Sequence, residues 1–296
     1  MKILFATDGS DASEKAAAYL SRLRLTANDE VTIIHAISWA PVMSEWEYIY
    51  DNLKSIREDV APRILESAST ILKSSKAHIT TLCVDDYPDR AITDKASELN
   101  ADLIVLGTQG MRGITSRIAG SVTRSVAIRS PKPVLAVQPR GKEVPERMKI
   151  VFATDGSPSS AAVRNVLLSL PFPDGSELII VSVMPTAYLD IPERFSIEVN
   201  DKMKKIVADI KEKEATEADA VLDDAEQTLH TKFSKIQKIL RSGDPPGEIL
   251  SVADKYSADI IAVGSSGMRG IKGVIGSTAR YIINHAACSV LIGKIS

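Results

Sequence analysis

Two clusters in this 296-residue chain have the residue types and spacing to hold an anion. Gly107-Thr108-Gln109-Gly110 is followed, after nine residues, by Gly120-Ser121. Glycine lets backbone N–H groups approach a polyphosphate with no Cβ in the way. If Gly120-Ser121 opens a helix, the helix N-terminus adds a dipole that favours anions, and the serine hydroxyl adds a donor. The second cluster is Ala6-Thr7-Asp8, which closes the first apolar run of the chain. An aspartate there can accept from a ribose hydroxyl or orient a purine. Together these are the parts of a nucleotide site. They are not a Walker A loop, since no Gly-Lys-Ser/Thr follows the glycines, and no Gly-x-Gly-x-x-Gly is present.

Both clusters occur twice. Lys2-Ile3-Leu4-Phe5-Ala6-Thr7-Asp8-Gly9-Ser10 returns 147 residues later as Lys149-Ile150-Val151-Phe152-Ala153-Thr154-Asp155-Gly156-Ser157. Ala101 to Gly107 returns 157 residues later as Ala258 to Gly264, and Met111-Arg112-Gly113-Ile114 as Met268-Arg269-Gly270-Ile271. Gly120-Ser121 returns as Gly276-Ser277, 156 residues on, so the second glycine loop is one residue shorter. Ordered matches of this length mark a tandem duplication. Residues 138 to 147 hold two prolines, a glycine and five charged residues, a linker composition. The expected domains are 1–139 and 148–296, joined by 140–147.

The elements that must position these clusters follow from the pattern of apolar runs. Each copy reads as five strands alternating with four helices. Ile3 to Thr7 is a short apolar run of the kind that forms a buried parallel strand. Ser157-Pro158 has a favoured N-cap followed by proline at the first helical position, and Ser10 aligns with that cap. Further strands are expected at Val31 to Ile37, Ile79 to Val84, up to Gly107, and Val134 to Val137. Their counterparts are Leu178 to Val183, Ile236 to Arg241, up to Gly264, and Val290 to Ile292. Long charged helices are expected near 45–75 and 195–230, with shorter ones at 89–100 and 246–257. The fold class is α/β: two tandem doubly wound five-stranded parallel sheets with helices on both faces. Ligands of such sheets bind beyond the carboxyl ends of the strands, where strand order reverses, and both clusters fall there.

Gly-x2-Gly-x9-Gly-Ser after an Ala-Asp-Leu-Ile-Val run, with Ala-Thr-Asp-Gly-Ser at the end of strand one, resembles the universal stress protein family. The resemblance spans nearly the whole chain, twice. It implies an adenine-nucleotide α-hydrolase-like fold and ATP as the ligand, with ADP and AMP as alternatives and Mg²⁺ as an optional companion. It implies stress-response regulation with little or no hydrolysis, and thus no enzyme. By position it implies nucleotide contacts from Ala6, Thr7, Asp8, Ala36, Leu106, Gly107, Gly110, Gly120, Ser121 and Val122. Asp8 would touch adenosine, and Ala36 would offer backbone to adenine. In the second copy the matching residues are Ala153, Thr154, Asp155, Val183, Val263, Gly264, Gly267, Gly276, Ser277 and Thr278. Pairing of the two domains within the chain, and an optional homodimer, are implied as well.

The second copy departs from the motif: Gly267 to Gly276 encloses eight residues, although Gly273 offers a route to closure. The rival class is an adenylating or slowly ATP-hydrolysing enzyme of the related α-hydrolase type. Such enzymes carry a Ser-Gly-Gly-x-Asp-Ser loop after strand one, where this chain has Thr7-Asp8-Gly9-Ser10-Asp11. A third reading is a ligand-free dimerisation module.

Composition bounds the rest. Thirty-six basic residues against 38 acidic give a net charge of −2 with no charge run, which argues against nucleic-acid or membrane-surface binding. No stretch approaches about 18 apolar residues, so no transmembrane helix is expected. Two cysteines, Cys83 and Cys288, form neither a disulfide framework nor a metal site, and no metal ligands are expected; a cytoplasmic protein is the default. Asp8 and Asp155 are read as ligand groups because Ser10 and Ser157 already fit the cap positions. His35 reads as a satisfied core histidine and Cys288 as a small buried apolar residue. Arg112, Arg117, Arg269 and Lys272 read as solvated loop cations. Trp39 and Trp46 flank a loop that borders the site, as a lid or as packing under the long helix.

Overall fold

The computed structural model describes residues 1–37, 47–108, 119–138, 145–185, 201–267 and 275–295. Gly110, the loop cations at 112, 117, 269 and 272, Gly270, Gly273, Trp39, Trp46 and most of the linker lie outside these residues.

Continuous apolar runs form the central strands. These are β1 (Lys2–Ala6), β4 (Leu103–Gly107) and β5 (Val134–Val137), with their counterparts β6 (Lys149–Ala153), β9 (Ile260–Gly264) and β10 (Ser289–Gly293). Nearly all their side chains are buried, as expected of parallel strands covered on both faces. The outer strands β2 (Glu30–Ile37), β3 (His78–Asp85), β7 (Glu177–Met184) and β8 (Lys235–Ser242) are longer, and the edge strands β3 and β8 are the most exposed.

The helices are α1 (Asp11–Ser21), α2 (Glu47–Leu72), α3 (Pro88–Glu98) and α4 (Ser121–Arg129) in the first half. In the second half they are α5 (Pro158–Ser169), α6 (Asp201–Leu229), α7 (Pro245–Lys255) and α8 (Ser277–His285). The expected caps form: Ser10 and Ser157 accept from Ser13 N and Ser160 N at 3.3 and 3.2 Å. Gly9 and Gly156, just before these caps, sit at φ +77° and +73°, a region that disfavours any side chain.

Strand order is β3-β2-β1-β4-β5-β10-β9-β6-β7-β8. Each half is thus a doubly wound 3-2-1-4-5 arrangement, parallel throughout. The sequence reading gave two separate sheets; the structure joins them into one. The seam is an antiparallel pairing of β5 with β10, with Leu135 opposite Leu291. Both seam strands are short, buried and apolar but for Ser289, and pairing them removes two open edges from the middle of the molecule.

One apolar core runs across the seam beneath α1, α2, α5 and α6, from Phe5 and Leu20 to Phe152 and Leu222. On the opposite face there are two cores, one built from the first half alone and one that takes in Ala119, Ala127 and Ala136 of the first half with the second half. The antiparallel seam turns one half about in the sheet plane. The carboxyl ends of β1 and β4 therefore open at one edge of the sheet, and those of β6 and β9 at the other.

Candidate functional site

In 3-2-1-4-5 order the switch lies between β1 and β4, and in the second half between β6 and β9. At the second switch a cavity of about 1060 Å³ opens. Its lining includes all ten second-copy residues singled out from the sequence: Ala153, Thr154, Asp155, Val183, Val263, Gly264, Gly267, Gly276, Ser277 and Thr278. Residues up to 125 apart in the chain are thereby brought to one concavity, at the upper end of the about 300–1000 Å³ typical of small-molecule sites.

Each wall has a local cause. Asp155 follows β6, and its Oδ1 accepts from Ser157 N at 3.0 Å. Asp8 does the same with Ser10 N at 3.1 Å, and also accepts from Ser10 Oγ at 2.6 Å. This corrects the expectation that the serine caps leave the aspartates free. Each carboxylate closes a short turn through one oxygen, because an Asx turn is how the chain leaves the strand and enters the helix. The other oxygen of Asp155 faces the glycine loop: a Cβ on Gly267 would stand 3.0 Å from Asp155 Oδ2.

Gly107 and Gly264 end β4 and β9. A Cβ on Gly107 would lie 2.9 Å from the Ala12 carbonyl oxygen, and one on Gly264 2.8 Å from Ser159 Cβ. Glycine is required at these two positions by the close approach of α1 and α5, before any ligand is considered. Beyond the loop, Gly120 and Gly276 are the N-caps of α4 and α8, as the sequence suggested. Their N–H groups bind the ends of the preceding strands, Thr108 O at 2.7 Å and Ser265 O at 2.6 Å. Neither helix has a side-chain cap, so the first-turn N–H groups of α8 point to the cavity mouth beside the Ser277 and Thr278 hydroxyls.

In the first half Ala6, Thr7, Asp8, Ala36, Leu106, Gly107, Gly120, Ser121 and Val122 hold the equivalent places. Thr7 N donates to Ile34 O at 3.0 Å where Thr154 N donates to Val181 O at 2.9 Å, so strand ends match in both halves. Thr123 Oγ1 donates to Gly107 O at 2.8 Å and ties α4 to β4.

His35 is buried, with Nδ1 2.9 Å from Thr7 O, and Cys288 is buried. Both match their expected core roles. Among the described residues no group of three His, Cys, Asp or Glu side chains could hold a metal ion, and no helix is long and apolar enough to cross a membrane.

Fourteen further lining residues were not singled out from the sequence, and Ser265, Ser266, Glu214 and Glu217 are among them. Ser265 and Ser266 follow Gly264 directly, and Ser266 Oγ lies 2.8 Å from Ser159 Oγ. Glu214 and Glu217 project from α6, whose charge reads as a solvated face in sequence. Nothing in the sequence separates these two from the other charges of the helix.

The model of the universal stress protein family matches residues 1–138 and again 146–294. A universal stress protein of Methanocaldococcus jannaschii is 30% identical over 147 residues, covering 48% of this chain and 84% of its own. One from Mycobacterium tuberculosis is 23% identical over an alignment of 317 residues, covering 99% and 97%. The crystal structure of a universal stress protein from Archaeoglobus fulgidus aligns with a TM-score of 0.64 at 20% identity, over 99% of this chain and 96% of that one.

Proposed function

We propose, from the premise that the chain belongs to the universal stress protein family, that it is a non-catalytic regulator that binds an adenine nucleotide, ATP first. Residues 1–139 and 148–296 each form one nucleotide-binding domain. The single observation behind this reading is the convergence of Asp155, the serine-lined glycine loop and the first turn of α8 on one cavity at the strand-order switch.

The residues present fit a nucleotide. Val183 ends the inner side of β7 and offers backbone to a purine. Asp155, fixed by its turn, is placed to accept from the adenosine portion. Gly267, Gly276, Ser277 and Thr278 offer donors to phosphate without a side chain in the way. When bound, the nucleotide supplies a flexible polyanion that links the end of β6 to the start of α8. An accompanying Mg²⁺ would be carried by the phosphates. Regulation then follows as a population shift: occupancy favours one arrangement of the glycine loop, and a partner reads it. The catalytic alternative has less support, because no paired glycines follow Thr7-Asp8.

The test is to denature the purified chain and quantify released nucleotide, then titrate the emptied protein with ATP. Up to two adenine nucleotides per chain are expected, with Asp8→Ala and Asp155→Ala each lowering the number by one. Absence of both released nucleotide and ATP binding overturns the proposal. Steady phosphate release on the order of 1 s⁻¹ would favour the enzyme.

A further inference from the structure

The two outer edges of the ten-stranded sheet are matched in place and different in chemistry. β3 ends the strand order on one side and β8 on the other, and among the described residues no strand pairs with the outer side of either. Three basic residues stand along β8, Lys235, Lys238 and Arg241, each in an ion pair. Lys238 reaches back to α6, its ammonium 2.5 Å from Asp223 and 2.8 Å from Glu226. Lysines on an edge strand keep another strand from adding to it. The matching residues of β3, 157 positions earlier, are His78, Thr81 and Val84, and Glu66 and Ser69 match the two carboxylates. β3 carries no lysine or arginine along its eight residues.

The open side of β3 has the form that receives a strand. His78 N donates to Asp29 O at 2.8 Å, so the backbone groups of alternate residues from His78 face β2, and those of Ile79 and Thr81 face outward. Thr81 and Cys83 are exposed, with side chains on the α2 side of the sheet. There a groove of about 400 Å³ runs between β3 and α2, lined in part by the buried Ala61 and Leu65. The exposed Glu66 and Lys73 line it too. They are seven residues apart, so they share one helix face and stand about 10 Å from each other along it.

We propose that β3 is a homodimer edge: the β3 strands of two copies pair antiparallel about a two-fold axis at Thr81, so that the sheet continues from one molecule into the next. Thr81 then stands opposite Thr81 of the second copy, and Ile79 opposite its Cys83. The axis keeps the α2 side of both sheets on one face, so side chains of the second strand border the groove of the first. It also reverses the direction of α2, which brings Glu66 of each copy toward Lys73 of the other. This charge pattern is self-complementary under a two-fold axis, and it favours a second copy over an unrelated strand. Strands lie about 4.8 Å apart and α2 packs over both β2 and β3, so the two α2 helices come to about 10 Å, an ordinary packing distance. The same operation at β8 would set Lys238 against Lys238, like charges directly opposite. One edge is therefore closed, and assembly ends at two copies instead of growing into a fibre.

Sedimentation velocity of the full chain is the test, at concentrations up to about 100 μM, above the micromolar Kd of a weak specific interface. The unaltered chain should sediment as two copies. Thr81→Lys, which gives β3 the lysine of β8, should yield a monomer with unchanged circular dichroism, since position 81 is exposed. Glu66→Lys should weaken the dimer by about tenfold, and adding Lys73→Glu should restore it. Thr81→Cys combined with Cys83→Ser should form a disulfide between copies on oxidation. A hydrogen-bonded antiparallel pair has its Cα atoms about 5.5 Å apart, within disulfide reach. A monomeric unaltered chain overturns the proposal and leaves the edge to a strand of another protein. A dimer that survives Thr81→Lys, or that Thr81→Cys does not cross-link, also overturns it and assigns the association to another surface.

Discussion

The two halves keep the same backbone devices and differ in side chains at the cavity wall and where one half touches the other. Thr7 Oγ1 donates to Ser13 Oγ as Thr154 Oγ1 does to Ser160 Oγ, at 3.0 and 3.2 Å. Thr108 N and Ser265 N bind the last residues of β5 and β10 at 3.1 and 3.0 Å. These bonds fix the strand ends and helix starts, and both copies retain them. Differences collect elsewhere: Glu214 and Glu217 against Arg57 and Val60, Thr123 against Ala279, and Lys294 against Gln138. A duplicated fold can change charge and hydroxyl pattern at its sites without touching the turns that build them, because the turns depend on backbone groups and a few capping oxygens.

The largest expected effect tests whether the halves are separate units at all. Leu291 is fully buried at the seam, in the core that runs beneath both halves. Leu291→Ala should cost about 2–5 kcal/mol, the range for emptying a core leucine site. Both tryptophans, Trp39 and Trp46, lie in the first half, so their fluorescence reports that half while circular dichroism reports the whole chain. The two urea transitions should coincide and shift together in this variant. Separate transitions would break the picture of one shared core.

Next in size is a pair that should behave alike. Gly107→Ala and Gly264→Ala each drive a methyl into helix backbone and should each cost about 1–3 kcal/mol. Gly267→Ala meets only the end of the Asp155 side chain, so it should cost less stability and act chiefly on nucleotide affinity. A thermal or urea series on the three variants separates packing glycines from site glycines. Equal stability losses at all three would remove that distinction.

A smaller contrast is at the caps. Ser157→Ala should cost about 1 kcal/mol, the usual value of an N-cap. Ser10→Ala should cost somewhat more, because Ser10 Oγ also donates to Asp8 Oδ1 at 2.6 Å. Equal losses by urea unfolding would show that this added bond contributes nothing.

Much of this was legible in the residues. Strand and helix order followed from apolar runs and caps, and the ten second-copy residues picked by position in a duplicated motif all line one cavity. The seam was not legible, because a wholly apolar strand such as Val134–Val137 reads the same whether it ends a sheet or joins two. The turn bonds of Asp8 and Asp155 were missed because a carboxylate that closes a turn looks, in sequence, like one held for a ligand. The acidic wall was missed because Glu214 and Glu217 sit in a long charged helix. Only their place in the cavity lining beside Ala218 and Val221 separates them from residues that merely face water.

The smallest effect concerns the side chain with which one half grips the other. Lys294 follows β10, and its Nζ donates to Ala127 O at 2.6 Å and Ile128 O at 3.3 Å, near the C-terminal end of α4 in the first half. Gln138 holds the matching place after β5, and its backbone N donates to Ser289 Oγ at 3.1 Å. Burial pulls the Lys294 ammonium down to about 8. In the unfolded chain it keeps its proton to about pH 10.4. Between those values the unfolded state binds more protons, so this lysine makes stability rise with pH above about 8 and level off near 10.4. The carbonyls and the negative helix end favour the ammonium and offset part of the burial cost, so the rise between pH 7.5 and 9.5 should be below about 1 kcal/mol. Lys294→Met should flatten it, whereas Gln138→Met should leave it unchanged, as measured by urea unfolding at the two pH values. A rise that survives Lys294→Met would assign it to another group and leave the grip between halves to the seam and the shared core.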